Sequence, residues 1–314
     1  MSLSIKNNLL LVFIHGFKGD DETFLDFPKR LQHVLQETIS NIKIRSIVYP
    51  RYETRGELKE AVERFCLWLE NEVLKLTGNV RVCLLGHSMG GILAADTILK
   101  YANQTVKTTC KPNIIGLFAY DTPFYGVHPD VFSKAALKRF NKVTQSVSST
   151  LTLLTSAAGA SAISNPGLGK RSLFGIALGV SVAAAATYYH KDKVSKGVEW
   201  LGSHLEYVGV LWNQDELSKR VENLLKVPDI VFQCYYTQIP PQDDELPKTF
   251  IELPPSHMMS YFSSIACTSE DEIDAHLEIF NPDVNPFYYD LGHVTSKYIC
   301  EMIAKSDVFR LEAF

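Results

Sequence analysis

A serine between glycines carries the clearest chemistry in the sequence. The segment Gly86-His87-Ser88-Met89-Gly90 matches the pattern G-x-S-x-G, and it lies between the apolar run Val80–Leu85 and a helical pattern that begins at Gly91. A serine at the tip of such a strand-to-helix turn has its Oγ aimed into open space, and only very small residues fit two positions before and after it. The N-terminus of the helix places a positive dipole end beneath a developing oxyanion. This pattern predicts that Ser88 is a nucleophile.

The elements that must position this serine follow an alternating order. Strand-like runs and helical patterns alternate from the start of the chain, which is typical of a parallel α/β sheet. Strands are predicted at Leu9–Ile14, Ile42–Tyr49, Val80–Leu85, Ile114–Tyr120, Asp229–Ile239 and Thr249–Leu253. Helices are predicted at Phe27–Leu35, Glu57–Leu76, Gly91–Tyr101 and Tyr288–Ala304. We expect a mostly parallel sheet of about six strands flanked by helices. Its core is formed by residues 1–126 and 227–314, with a long insertion, 127–226, after the fourth strand.

Several segments resemble a known family of hydrolases. LVFIHGF followed by LLGHSMGG resembles the lipase and esterase branch of the α/β-hydrolase superfamily, and DTPFYG resembles a segment of serine esterases in that branch. FIHGFKGD, AYDTPFYG, GSHLEYVG and DEIDAHLEIF are similar to a group of fungal lipase-like hydrolases. The resemblance covers most of residues 9–126 and 200–305. It implies the α/β-hydrolase fold and a serine hydrolase that cleaves a carboxylic ester of a lipid-like substrate through an acyl-enzyme.

The resemblance also implies where an oxyanion would be held. His15-Gly16 ends the first predicted strand, in the position where the family supplies one half of the oxyanion hole. The backbone N–H of the next residue, Phe17, would act with the N–H of Met89, which follows the nucleophile. Gly16 allows the backbone to approach a substrate closely.

Three histidines are candidates for the base that a serine nucleophile needs. In this fold the order along the chain is serine, acid and histidine. His276 lies in a predicted loop between the last strand and the last helix, whereas His293 follows a glycine on the last helix, on a different face from its apolar stripe. We favour His276 because the fungal relatives have their histidine in the DEIDAH segment. His293 is the alternative, and His257 comes third.

Two positions are open for the acid that orients the base. Asp121 ends the fourth predicted strand, in AYDTP, from which a carboxylate can reach the catalytic crevice. Its alternative role is to cap the turn before Thr122-Pro123. Asp243, in the segment PPQDDE after the fifth strand, is the other candidate, although that polar segment is typical of a solvated turn. We favour Asp121.

The insertion contains an uncharged apolar stretch. Residues 172–189 are flanked by basic residues, and their 18-residue length is at the lower limit for a membrane span. A single crossing would separate the first four strands from the last two, which must share one sheet. We therefore favour a lid or an interfacial helix that makes peripheral membrane contact over an Ala/Gly tract without a direct role.

The composition of the chain indicates which partners and which cellular compartment to expect. The chain has 31 basic and 35 acidic residues and a net charge of −4, which gives no reason to expect nucleic acid as a partner. Its six cysteines are scattered and form no C-x-x-C pair, so neither a zinc site nor a disulfide framework is indicated. The N-terminus does not have the pattern of a signal peptide. We expect an intracellular protein, cytoplasmic or membrane-associated, that needs no metal or organic cofactor and acts on a small-molecule or lipid ester.

Two other functions would use the same fold. A catalytically silent hydrolase-fold protein could bind lipid or act as a scaffold, although a strained turn costs stability that a scaffold need not keep. An acyltransferase or a thioesterase would use the same catalytic residues as an esterase.

Overall fold

The structure, a computed structural model, describes residues 7–52, 57–103, 110–131, 209–241 and 246–312. The chain divides into two compact units, residues 1–127 with 204–314 and residues 128–203. All elements described below belong to the first unit. The apolar stretch 172–189, predicted to be a lid or a membrane contact, lies outside the described residues.

A seven-stranded sheet forms the centre of the first unit. The strands run in the spatial order β2-β1-β3-β4-β5, and β5 also pairs with β6 and β7. All pairings are parallel except that of β6. The strands are β1 (Asn7–Ile14), β2 (Ile42–Val48), β3 (Asn79–His87), β4 (Asn113–Tyr120), β5 (Val231–Ile239), β6 (Lys248–Thr249) and β7 (Phe262–Ala266). The helices are α1 (Phe27–Thr38), α2 (Leu58–Leu74), α3 (Met89–Asn103), α4 (Gln214–Leu224), α5 (Glu272–Leu277) and α6 (Tyr288–Glu312).

Helices cover both faces of the sheet, which explains why its central strands are apolar without alternation. In β1, Leu9, Leu11 and Phe13 pack into one hydrophobic cluster together with residues of α1 and α6. The intervening side chains of β1 pack into a second cluster together with residues of α2, α3 and α4. All of β1 from Leu9 to Ile14 is therefore removed from water on both faces.

The strand order reverses between β1 and β3. From β1 the chain moves outward to β2 on one side, and it then crosses back to β3 on the other side. In open α/β sheets, ligands bind at such a switch point, in the crevice outside the carboxyl ends of the strands. The carboxyl ends at this point are those of β1, which leads to Gly16, and of β3, which leads to Ser88.

The structure confirms most of the predicted elements. The first five strands lie within two residues of their predicted bounds. The sixth differs, because only Lys248–Thr249 form a strand, followed by an isolated bridge between Ile251 and Val127. The parallel strand β7 was not predicted. Its Ser-rich sequence is only partly buried at the edge of the sheet, so it lacks the apolar run that marks the central strands.

The end of the insertion also differs from the sequence-based boundary at residue 226. A 3-10 turn, Gly209–Trp212, and helix α4 belong to the first unit. Helix α4 buries Leu217, Val221 and Leu224 at helical spacing, and Arg220 pairs with Asp96 of α3. Helix α4 was not predicted because it is short and polar on its other face, and because the composition of the chain changes after β4.

No helix in the described ranges is both long and apolar enough to cross a lipid bilayer.

Candidate active site

Ser88 occupies a strained turn between β3 and α3. Its φ of 55° is in the left-handed region, which is unfavourable for a residue with a side chain. The backbone N–H of Ser88 donates to the carbonyl of Tyr120, the last residue of β4, at 2.9 Å. The turn is thus fixed to the neighbouring strand, and Met89 begins the helix directly after it.

Two glycines of the motif are required by close packing of the backbone. A Cβ on Gly86 would lie 2.5 Å from the backbone N and Cα of Gly91. A Cβ on Gly90 would overlap the carbonyl oxygen of Ile14 and lie 2.7 Å from that of His15. Helix α3 can therefore begin against the ends of β1 and β3 only if neither position carries a side chain.

The end of β1 lies against the nucleophile. A Cβ on Gly16 would lie 2.6 Å from Cβ of Ser88 and 3.0 Å from its Oγ. The carbonyl oxygen of Gly16 accepts hydrogen bonds from the backbone N–H of Gly19 at 3.1 Å and from Nδ1 of His15 at 3.0 Å. The peptide unit between Gly16 and Phe17 is planar and trans. The N–H of Phe17 therefore points in the opposite direction from the anchored carbonyl of Gly16.

His15 supports this loop from a fully buried position. Its ring stacks on Tyr52 with 4.7 Å between the ring centroids, and the hydroxyl of Tyr52 donates to the backbone carbonyl of His15 at 2.8 Å. Burial lowers the pKa of His15 below its ordinary value.

Asp121 follows β4 and is fully buried. Its φ of 48° is another left-handed conformation, and its backbone N–H donates to the carbonyl of Tyr235 at 2.6 Å. Oδ1 accepts the backbone N–H of Thr237 at 2.9 Å, and Oδ2 accepts the hydroxyl of Thr237 at 3.0 Å. These contacts from β5 satisfy a carboxylate that would otherwise be costly to bury.

The imidazole of His276 completes the partners of this carboxylate. Its Nδ1 lies 2.7 Å from Oδ2 of Asp121, and the side chain of His276 is only 7% exposed. A carboxylate accepts hydrogen bonds, so Nδ1 carries the proton. In the neutral ring Nε2 is then left as the basic nitrogen.

The structure therefore brings Asp121 and His276 together at the edge of the sheet that carries Ser88. His276 lies on α5, a short helix, where the sequence predicted a loop. Asp271 caps this helix by accepting the backbone N–H groups of Ile273 and Asp274. The cap fixes the position of the helix and, with it, that of His276.

The other sequence candidates lie elsewhere. His293 is exposed on α6, beside a cleft formed with Phe27, Arg30 and Tyr289, and His257 is exposed in a 3-10 turn. Asp243, the alternative acid, lies outside the described residues. Within the described ranges, no group of three or more His, Cys, Asp or Glu side chains is arranged to hold a metal ion.

Two residues of the site were missed by sequence reasoning. Thr237 donates to both carboxylate oxygens of Asp121, and Phe250 stacks on His276 with 3.7 Å between the ring centroids. Neither residue belongs to a recognisable motif. Their roles arise because β5 pairs beside β4 and because the chain after β6 passes over α5.

Comparison with known families finds a similarity in the N-terminal part of the chain. Residues 4–158 match the family described as "Putative serine esterase (DUF676)". The match covers just under half of the chain. The matched range contains the turn at Ser88, the end of β1 and Asp121, whereas His276 lies beyond it. A comparison with curated proteins gives no match.

Solved structures give distant likenesses. The chain is similar to a carboxylesterase of the thaumarchaeon Nitrososphaera gargenis (10% identity, TM-score 0.42, 95% of this chain and 92% of that one). It is also similar to a lipase-esterase related protein from Clostridium acetobutylicum (14% identity, TM-score 0.39, 95% of each chain). A match to phospholipase PlaB from Legionella pneumophila (18% identity, TM-score 0.30) covers 38% of this chain and only 26% of the phospholipase. Such low scores carry no inference about activity or substrate. The assignment to the α/β-hydrolase fold rests on the strand order and the turn at Ser88.

Replacing Gly90 by alanine tests the close packing of the turn. We expect Gly90→Ala to lower the free energy of unfolding by about 3 kcal/mol or more, because the new Cβ would overlap the backbone at the end of β1. The matched control is Gly292→Ala in α6, where the new Cβ would lie 3.6 Å from Phe27, an ordinary contact. That change should be neutral or should stabilise by up to about 1 kcal/mol. Urea denaturation measures both, and equal stability of the two variants would contradict the packing argument.

Two of the buried histidines, His15 and His87, predict a dependence of stability on pH. Burial lowers the pKa of both His15 and His87, so each remains neutral in the folded protein at pH values where the unfolded chain takes up a proton. Stability is therefore fully present above the ordinary pKa of 6.5 and is lost as the pH falls below it, by up to about 1.4 kcal/mol per pH unit for each histidine. Urea denaturation between pH 7.5 and pH 5.5 measures this slope.

Two variants test whether burial of His15 causes the dependence of stability on pH. His15→Gln should make the slope shallower, whereas His33→Gln, at an exposed position of α1, should leave it unchanged. If the slope of His15→Gln equals that of the wild type, burial of this histidine is not the cause.

Proposed function

We propose that this protein is a serine hydrolase that cleaves carboxylic esters through an acyl-enzyme, with Ser88 as the nucleophile, His276 as the base and Asp121 as the orienting acid. The observation that carries the proposal is the buried hydrogen bond between Nδ1 of His276 and Oδ2 of Asp121. It lies at the same sheet edge as the strained serine turn. Such a pair leaves Nε2 of the histidine free of a proton and able to accept the one on a serine hydroxyl.

One backbone hydrogen bond and one stacked pair of rings support the proximity of the three residues. The N–H of Ser88 donates to Tyr120, which directly precedes Asp121. The ring of His87, which directly precedes Ser88, stacks on the ring of His276 at 4.6 Å. Ser88 is thus bonded to the residue that precedes Asp121, and the residue that precedes Ser88 contacts His276.

The proposed reaction begins with attack of Ser88 Oγ on the ester carbonyl, while Nε2 of His276 accepts the hydroxyl proton. The oxyanion that forms is held by the backbone N–H groups of Met89 and Phe17, at the N-terminus of α3 and the end of β1. Collapse of the tetrahedral intermediate breaks the ester C–O bond, and His276 returns the proton to the departing alcohol. Water then attacks the acyl-enzyme with His276 again as the base, which releases the acid and restores Ser88.

Asp121 contributes to this cycle through charge and geometry. When His276 is protonated, the buried carboxylate faces an imidazolium at hydrogen-bond distance. The interaction is strong because water is excluded from Asp121. The two donors of Thr237 keep the carboxylate oriented while the charge on His276 changes.

The left-handed backbone at Ser88 and Asp121 favours an enzyme over a silent scaffold. Each such residue costs about 1–3 kcal/mol, and this cost persists where the surrounding structure and the function require the conformation. A thioesterase or an acyltransferase would use the same residues, with a thiol as the leaving group or an alcohol as the acceptor in place of water.

Active-site labelling tests the assignment of the three residues. A fluorophosphonate probe should label the wild-type protein, and Ser88→Ala should abolish labelling. We expect His276→Ala and Asp121→Asn to lower kcat/KM for a short soluble p-nitrophenyl ester by at least about 10³-fold. His293→Ala should retain the activity of the wild type. A wild type that resists labelling would overturn the proposal, and labelling that depends on His293 but not on His276 would reassign the base.

The preference for a lipid-like ester is a proposal that rests on the uncharged segment 172–189. We expect deletion of residues 151–190 to reduce hydrolysis of a bilayer-borne ester by at least about tenfold more than hydrolysis of a short soluble ester, because the segment would contact the membrane. Vesicle and soluble-ester assays on the same preparation measure the ratio. An equal loss on both substrates would contradict this role.

A further inference from the structure

His87 occupies the variable position before the nucleophile, and the mechanism above gives it no role. It is the last residue of β3 and is 4% exposed. Its ring is surrounded by Phe24 and Phe280, at centroid distances of 6.5 and 5.5 Å. An apolar residue would suit these two neighbours at least as well, so the choice of histidine calls for another explanation.

The polar end of His87 is bonded to the backbone of the proposed base. Nε2 of His87 lies 3.0 Å from the carbonyl oxygen of His276. A carbonyl only accepts hydrogen bonds, so Nε2 of His87 carries the proton. Burial holds the pKa of His87 well below its ordinary value, and the neighbouring His276 acts in the same direction. His87 is thus a neutral donor that does not compete with His276 for a proton.

The ring of His276 is held between two other rings. The ring of Phe250 is nearly parallel to it, at 16° and a centroid distance of 3.7 Å, and therefore covers one face of the imidazole. The ring of His87 is also stacked, at 29° and 4.6 Å. Two rings at these distances cannot share one face without overlapping, so His87 lies against the other face.

We propose that His87 is a positioning residue that, together with Phe250, clamps the imidazole of His276 in the plane required for proton transfer. This inference rests on the proposed function of His276. The hydrogen bond fixes the backbone at residue 276, and the two rings prevent the imidazole from tilting while its hydrogen bond to Asp121 fixes its rotation. Together, these three constraints hold Nε2 of His276 in a single orientation.

The clamp also suits the charge that His276 acquires during the reaction. An aromatic face attracts a cation placed over it, and the faces of Phe250 and of neutral His87 both meet the imidazolium. The benefit appears only when His276 is protonated, as it is in the transition state for acylation. Loss of the clamp should therefore lower kcat and leave KM nearly unchanged.

Variants at residue 87 separate the hydrogen bond from the stacked ring. Gln places an amide N–H near the position of Nε2 but has no ring, whereas Phe keeps a flat ring but has no donor. We expect His87→Gln and His87→Phe each to reduce kcat by about 5- to 50-fold with KM changed by less than about twofold, and His87→Ala to reduce kcat more than either. The matched control is His33→Gln, at an exposed position of α1, which should leave both constants unchanged.

Variants at residue 250 test the other side of the clamp at a half-buried position, where the fold should tolerate change. Phe250→Leu removes the ring and should reduce kcat by about 5- to 20-fold, whereas Phe250→Tyr keeps the ring and should restore at least half of the wild-type kcat. Phe287→Leu, at an exposed phenylalanine just before α6, is the control and should have no effect. All constants are expressed per fluorophosphonate-titrated site, so loss of folded protein does not count as loss of rate.

The outcomes separate this inference from the proposed function. If Ser88→Ala abolishes activity while His87→Gln, His87→Phe and Phe250→Leu all keep kcat within twofold of the wild type, the clamp is overturned and the serine hydrolase stands. If the variants at residue 87 do not fold, the comparison of Phe250→Leu with Phe250→Tyr decides: rescue by Tyr supports the clamp, and equal rates overturn it. Hydrolysis that survives Ser88→Ala would overturn the proposed function itself.

Discussion

The buried carboxylate of Asp121 is the constraint on which the site depends. It carries no exposed surface, so each of its oxygens must find a donor inside the protein. Thr237 supplies two donors and His276 a third, and these residues come from different elements. Meeting this requirement fixes β5 beside β4 and α5 above their carboxyl ends. Satisfying the buried charge of Asp121 therefore brings Thr237 and His276 together in the proposed active site.

The turn at Ser88 illustrates how packing and strain combine at the other half of the site. The left-handed residue is held because Gly86 and Gly90 let α3 begin against the strand ends, and because the Ser88 N–H is bonded to β4. Gly16 allows the end of β1 to lie directly against the side chain of Ser88. Close backbone packing thus places the serine, and the side chains of His15 and Tyr52 support the loop that follows β1.

The sequence allowed the fold to be predicted where the signal was local. The apolar runs of β1, β3 and β4 and the glycines around Ser88 indicate burial and tight turns directly, and the structure agrees with both. The short strand β7 and the helix α4 escaped because each is half polar and too short for a strong periodic signal. Contacts made by Thr237 and Phe250 could not be inferred, because they depend on which strands become neighbours in space rather than on spacing along the chain.

The position of the insertion has a consequence for biosynthesis. Ser88 and Asp121 are synthesised before residues 128–203, whereas the three donors to the Asp121 side chain and strand β5 are synthesised after them. Until β5 emerges from the ribosome, the long edge of β4 has no partner on that side and Asp121 has no internal donor. An open strand edge of this kind invites pairing with other chains. The site therefore cannot be completed before the C-terminal part of the chain is made.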